Sequence, residues 1–396
     1  MRRFVVIGLA VLAFAGVAGA GQDAAFEVMP SYVRVSNVRL SDADVHTGWR
    51  LVSFDLGWDE SWRGPDRPSW VEASDNWDAV WVFVKYRIDG GAWGHATLAP
   101  GPHVVPAGAV LSVPLDAMGG FVHRSSSGYG TFTANGVGLA WDCLADGVPA
   151  GARVEVQPFA IEMVYVPEGP FYLGSGGSSQ GEFRAGGTSN SPYLVATSAP
   201  IDLGDEAGQL TWVANTNSGS PSGSTAAGFA TGHAAFYLMK HELTQGEYVN
   251  FLNTLSQAQA DARRPPVAAS RFAITGEDVG SYVTSLPLVA SSWMSWADGV
   301  AFAGWAGLRP MTELEFEKVA RGPLAPVPDE YAWGSNSITR ATGLASEGTI
   351  AEAPTPVDAN VVNGFGFQGP ARAGSMAVAS SSTSPRWRLA ASTGSP

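Results

Sequence analysis

One cysteine and six histidines are the side chains best equipped for metal or nucleophilic chemistry in this 396-residue sequence, and none falls into a working pattern. Cys143 stands in WDCLADG, at the end of an aromatic run. No intramolecular disulfide can form, so stability rests on packing, with metal ions open as a supplement. An isolated cysteine after an aromatic strand reads as a small buried apolar residue rather than a nucleophile. The histidines, His46, His95, His103, His123, His233 and His241, have no zinc-ligand spacing, and no H-E-x-x-H occurs. The run LGSGGSSQGEFRAGG lacks the Lys-Ser/Thr of a phosphate loop and reads as a flexible surface loop. These residues therefore assign no catalytic and no cofactor-binding side chain. A metal site stays open: oxygen ligands for calcium abound, without a recognisable loop spacing.

The elements that would carry any site begin after a leader. MRRFVVIGLAVLAFAGVAGA has Arg2 and Arg3, an apolar stretch from Phe4 to Val17, and Ala18-Gly19-Ala20 as a cleavage site. This is a secretory signal peptide, cut after Ala20, rather than a membrane span. It implies a secreted or periplasmic product with no membrane insertion after cleavage. A net charge of −13 argues against nucleic acid and anionic membrane surfaces as partners.

Residues 26–158 read as an all-β, sandwich-like domain. LVSFDLGW alternates, and DAVWVFVKYRI is apolar on both sides, as a central strand covered on both faces would be. Eight of the fourteen tryptophans lie here, and they read as core, with Trp62 and Trp70 in WRGPDRPSW the expected exposed exceptions. From residue 161 a strand–turn–strand unit leads to a long polar Gly/Ser-rich stretch, expected to hold little beyond loops and short strands. Three short helices follow, each with a capping box: Thr244 with Glu247, Ser295 with Asp298, and Thr312 with Glu315. In the third, Met311 and Phe316 have staple spacing and Phe316, Val319 and Ala320 form one apolar face. Gly322 is placed for a left-handed C-cap. Residues 161–370 thus read as an α+β domain, and 371–396, rich in Ser, Ala and Arg, as a disordered low-complexity tail.

Four stretches in chain order carry a resemblance: MVYVPEGPFYLGS, YLMKHELTQGEYVNFLN, SSWMSWADGVAFAGWAGLRPMTELEFEKVARG and YAWGSN. They resemble the formylglycine-generating enzyme, or sulfatase-modifying factor, family. Lys240, Glu242, Thr244, Tyr248, Phe251, Leu252, Trp296, Arg309, Thr312, Glu313, Glu315, Glu317, Ala320, Arg321, Trp333 and Gly334 match its motifs. Pro310-Met311, Phe316 and Ala332 depart from them. The resemblance implies a C-type-lectin-like α+β fold. The β unit is more weakly similar to segments preceding this domain in other secreted bacterial proteins.

The family's chemistry is oxidation of a substrate cysteine to formylglycine, with copper held by a cysteine pair late in the domain; soft thiolates suit Cu(I). No cysteine follows Cys143, and the family's later G-N-x-W-E motif is absent, so the resemblance implies an inactive, C-terminally truncated member. The tail reads as a shifted reading frame or a true truncation. The absent part would leave apolar helix faces uncovered. A sulfatase-like protein substrate or a cell-surface ligand is the implied partner. The alternative is a non-catalytic lectin-like module that binds protein or glycan, with the stretch Ser175–Gly232 as its variable surface.

Overall fold

The computed structural model describes residues 32–64, 76–187, 190–213, 221–265, 270–323, 325–329, 331, 336–362 and 366–377. The leader, Trp70, Trp333, Gly334 and residues 378–396 lie outside these.

Eight strands open the chain: β1 (Val33–Leu40), β2 (Arg50–Arg63), β3 (Asp78–Ile88), β4 (Gly94–His95), β5 (Ala109–Ser112), β6 (Gly120–Arg124), β7 (Gly128–Trp141) and β8 (Val154–Val166). One sheet has the order β1-β2-β7. The other runs β15-β8-β3-β6-β5, with β4 on β3 and β15 (Phe236–Met239) arriving from much later in the chain. The alternation in β2 buries Val52, Phe54, Leu56 and Trp58 against Val80, Val82 and Val84 of β3, making a core between the sheets. The other face of β3, Trp81 and Phe83, packs against the helices that follow. This strand is covered on both sides, as its unbroken apolar run requires.

The expected division between residues 158 and 161 falls inside β8. That strand pairs with β3 in unbroken register from Val154↔Ile88 to Val164↔Asp78, and with β15 from Met163 to Val166. The two halves therefore share one sheet and one aromatic core.

The polar stretch is more built than its composition suggests. It contributes β9 (Phe171–Leu173), β10 (Phe183–Ala185), β11 (Tyr193–Val195), β12 (Asp202–Leu203), β13 (Leu210–Trp212) and β14 (Gly223–Ser224), around a small core of Phe171, Leu173, Val195 and Leu210. Its Gly-rich loop is tied down by Glu182, whose carboxylate accepts from Ser175 N (2.7 Å), Gly177 N (3.2 Å) and Ser179 N (3.2 Å). Gly174, at φ +80°, sits where a Cβ would strike the Phe183 carbonyl at 1.9 Å, so only glycine fits.

Helices α1 (Gln245–Leu252), α3 (Trp296–Trp305) and α4 (Glu313–Arg321) start at the expected capping boxes. Between the first two lies α2 (Gln257–Arg263), with its own box from Ser256 and Gln259. Two short hairpins, β16 (Ile274–Thr275) with β17 (Val283–Thr284) and β18 (Gly343–Ala345) with β19 (Ala353–Thr355), complete the set.

The stretch expected to be tail begins in the fold. Arg372 N donates to buried Glu352 (2.7 Å), Ala373 is buried, and the Tyr32 hydroxyl donates to its carbonyl (2.7 Å). Trp62 is buried rather than exposed: its backbone N–H, Ser61 Oγ and Trp58 Nε1 all converge on the Asp78 carboxylate.

Candidate functional site

The motif residues do local structural work. Thr312 caps α4 and its hydroxyl also donates to Ala230 O (2.8 Å), while Arg309 grips Glu315 with two bonds of 2.8 and 2.6 Å. Glu317 accepts from Gly174 N (3.2 Å) and from Arg321 (2.9 Å), joining the helix to the Gly-rich loop. Gly322 takes φ +70° and ψ −168°; its N–H closes onto Lys318 O, though the left-handed helical conformation is not adopted. Tyr248, Phe251 and Leu252 are core, and the Tyr248 hydroxyl donates to Arg263 O (2.7 Å).

The apolar face expected of α4 is turned. Phe316 is 40% exposed, whereas Leu314, Glu315, Lys318 and Val319 are buried. Lys318 points inward because its ammonium donates to the carbonyls of Pro167 (2.7 Å), Gly232 (2.7 Å) and His233 (3.4 Å). Burial still lowers its pKa to about 8. Trp296 is 75% exposed, and Val300, one turn on in α3, is 40% exposed.

A buried charge cluster joins the halves. Lys240, at the end of β15, donates to Glu162 of β8 and lies 3.4 Å from Asp78 of β3; His241 Nε2 is 3.3 Å from Glu162. Burial disfavours the Glu162 carboxylate, but Lys240 and His241 together outweigh it and hold its pKa low. Asp78 is pushed up by burial, with Lys240 pulling the other way. Every member has a partner, so the cluster reads as a joint rather than a reaction centre.

Lys85 was not singled out by sequence, although a lysine inside VWVFVKYRI was the available signal. It is 6% exposed, its ammonium 2.9 Å from His95 Nδ1 and 5.3 Å from the Trp305 ring centre. Burial drives its pKa down to about 7.

Beside the joint opens a cleft of about 640 Å³, within the range of small-molecule sites. One wall is β1 with the adjoining parts of β2 and β7, the other is α1 and α3, and β8 from Gln157 to Ile161 is the floor. Phe159, Phe302 and Trp305 supply aromatic surface; Ser36, Thr133, Asn135 and Gln157 supply hydroxyls and amides. No sequence signal marks these residues, because they come together only through the shared sheet.

The donor set does not fit the copper centre that the resemblance implies. Cys143 is the single cysteine; it is buried in the inter-sheet core, and burial pushes its thiol up to about 11. A thiolate pair cannot be assembled from these residues. Among the described residues no three His, Cys, Asp or Glu side chains converge on a metal position.

Comparison with known proteins agrees with the motifs. The model of the sulfatase-modifying factor enzyme 1-like domain matches residues 150–368, more than half of the chain. A formylglycine-generating enzyme of Thermomonospora curvata is 35% identical over 102 residues, which is 23% of this chain and 33% of that protein. The chain thus matches about a third of that relative's length. No solved structure matches. The domain of this family is a C-type-lectin-like fold, and the mixed sheets with few helices described above accord with it. By the four motifs and the extent of that match, this chain belongs to the sulfatase-modifying factor, or formylglycine-generating enzyme, family.

Proposed function

We propose that these 396 residues act as a non-catalytic member of the family, exported through the leader at residues 1–20, and that they work by binding. The observation that carries this reading is Cys143: the single sulfhydryl is held neutral and buried among Trp58, Leu139 and Trp141, in the half of the molecule that precedes the family domain. Oxidation of a substrate cysteine to an aldehyde needs a metal-bound sulfur pair, and motif residues such as Thr312, Arg309 with Glu315, and Tyr248 serve as a cap, an ion pair and core. A partner such as a sulfatase-like protein or a cell-surface ligand is consistent with a retained scaffold. The test is a peptide with a Cys-x-Pro-x-Arg core, incubated aerobically with the purified, copper-supplemented chain and probed with a hydrazide reagent. No aldehyde should form. Aldehyde formation above a no-protein control overturns the reading.

A further inference from the structure

The cleft beside β8 carries negative charge that the described residues leave unanswered. Asp55 accepts from Asn37 Nδ2 (2.6 Å) and Gly136 N (2.7 Å), and Glu247 from Thr244 N and Oγ1 (both 2.9 Å). All these donors are neutral. The cation that lines the cleft, Arg34, is committed to Asp59 (2.8 Å). At the end formed by Val33, Ile161 and Glu247, the cleft adjoins a hollow of about 10 Å³ that Tyr32, Glu162 and His241 also line. Around it Asp78, Glu162, Glu242 and Glu247 face Lys240 and Arg372, with His241 beside them. Carboxylates outnumber fixed cations there, and burial raises the pKa of both Glu242 and Glu247. A guanidinium entering the cleft would find two partly buried carboxylates without a cation.

The last described residues pass this same end. Ala373 O accepts from the Tyr32 hydroxyl (2.7 Å), and Gly374 N donates to Glu242 (2.9 Å). Gly374 lies so close to His241 that a Cβ there would come within 2.5 Å of Nδ1. Residues 378–396 follow; they include no acidic residue, and their charges are Arg386 and Arg388, in SPRWRL. The steps from Ala377 to Arg386 reach up to about 30 Å when extended. The floor, Gln157 to Ile161, spans only about 17 Å. Residues two apart in an extended segment share a side, so both arginines can face the carboxylates together.

The floor favours contact through side chains. β15 covers β8 only from Met163 to Val166, and Lys240 N donates to Glu162 O on that side. By the alternation of an antiparallel ladder, Ala160 and Pro158 turn their backbone groups the same way. Pro158 has no N–H to offer, and its carbonyl is occupied by the Gln157 side chain at 3.2 Å. A segment crossing here meets a broken ladder and is held by its side chains instead.

We propose that the stretch Ser384–Leu389 occupies this cleft in its own molecule, with Arg386 against Glu247 at the near end and Arg388 against Asp55 beyond it. The cleft is then a self-occupied site, open to an outside basic ligand only when the tail is displaced. This goes beyond the non-catalytic reading and does not depend on it.

Trypsin digestion of the leader-free full chain, followed by mass spectrometry, tests this, because an arginine held in the cleft cannot enter the protease. Rates are taken relative to a small arginine-amide substrate in the same tube. Cuts after Arg386 and Arg388 should be at least about tenfold faster in the double variant Asp55→Asn, Glu247→Gln than in the parent. Asparagine keeps an acceptor for Gly136 N and glutamine still closes the capping box, so circular dichroism should match. High salt should speed the same two cuts in the parent. By calorimetry, the peptide TSPRWRLAAS should bind one-to-one to the chain carrying Arg386→Glu and Arg388→Glu, and at least about tenfold more weakly to the parent. The same peptide with glutamine at both arginine positions should not bind. Equal cutting of the tail in parent and double variant overturns the proposal, as does equal affinity of the peptide for parent and released chain. Tail protection that rises with protein concentration overturns it too, by placing the tail in a second molecule. Aldehyde formation would instead overturn the non-catalytic reading and leave these results standing.

Discussion

Two buried lysines set opposite problems. Lys240 answers two carboxylates: Lys240→Met should cost about 3–5 kcal/mol, read from denaturant midpoints, because buried Glu162 would keep only His241 and buried Asp78 only its neutral donors. A loss under about 1 kcal/mol would show that the joint contributes little. Among the described residues Lys85 has no carboxylate partner, and burial places its folded pKa near 7 against 10.5 when free. The unfolded chain then holds more protons across the window between those values. Stability should therefore rise with pH from about 7 to about 10 and be lowest below 7. Lys85→Met removes that penalty, so its thermal midpoint should exceed the parent's at pH 6, with the gain shrinking towards pH 10. Parallel pH profiles for the two proteins would refute the assignment.

Among the elements, the helices show how far local signals reach. The boxes at Thr244, Ser295 and Thr312 were legible because each is closed by residues three apart, and the same signal at Ser256 and Gln259 was there to be read. The face of α4 was not legible. Phe316 has the better hydrophobic credentials, yet Lys318 is the inward residue, because carbonyls of Pro167, Gly232 and His233 await it from distant turns. Leu314→Ala should accordingly cost about 2–4 kcal/mol, while Phe316→Ala stays within about 0.5 kcal/mol. The reverse order of costs would restore the face inferred from periodicity. Similarly, Trp62 in a Pro-rich loop looked exposed, and its burial depends on Asp78, a residue on another strand. The cleft was invisible for the same reason: its hydroxyls, Ser36 and Thr133, and its amides, Asn135 and Gln157, come from three strands, β1, β7 and β8.

For the molecule as a whole, the decisive element is β8. Alternating strands and capped helices suggested two consecutive domains, but pairing partners cannot be read from one strand's own residues, and β8 belongs to both halves. Trp81 and Phe83 of β3 sit in one cluster with Tyr248, Phe251 and Phe302. A fragment starting at residue 150, the onset of the family match, would lose that sheet neighbour and bare the Val154, Val156 and Ala160 face of β8, which belongs to the core between the sheets. It should lack cooperative unfolding and near-ultraviolet dichroism. The leader-free full chain should unfold in a single transition monitored at both tryptophan emission and far-ultraviolet ellipticity. Two separated transitions, or a cooperatively folded fragment, would restore independent domains.

The gap that β15 leaves along β8 has one more consequence. A bare strand margin invites a second molecule to dock there and template fibrous growth, and proline at such a margin is a known deterrent. Pro158, with Gln157 folded over its carbonyl, keeps that margin open yet non-adhesive. Replacing both by valine should therefore turn a monodisperse solution into one that coalesces with concentration, visible by sedimentation velocity. The molecule can keep an unsealed seam only because two adjacent side chains prevent it from sticking to its own kind.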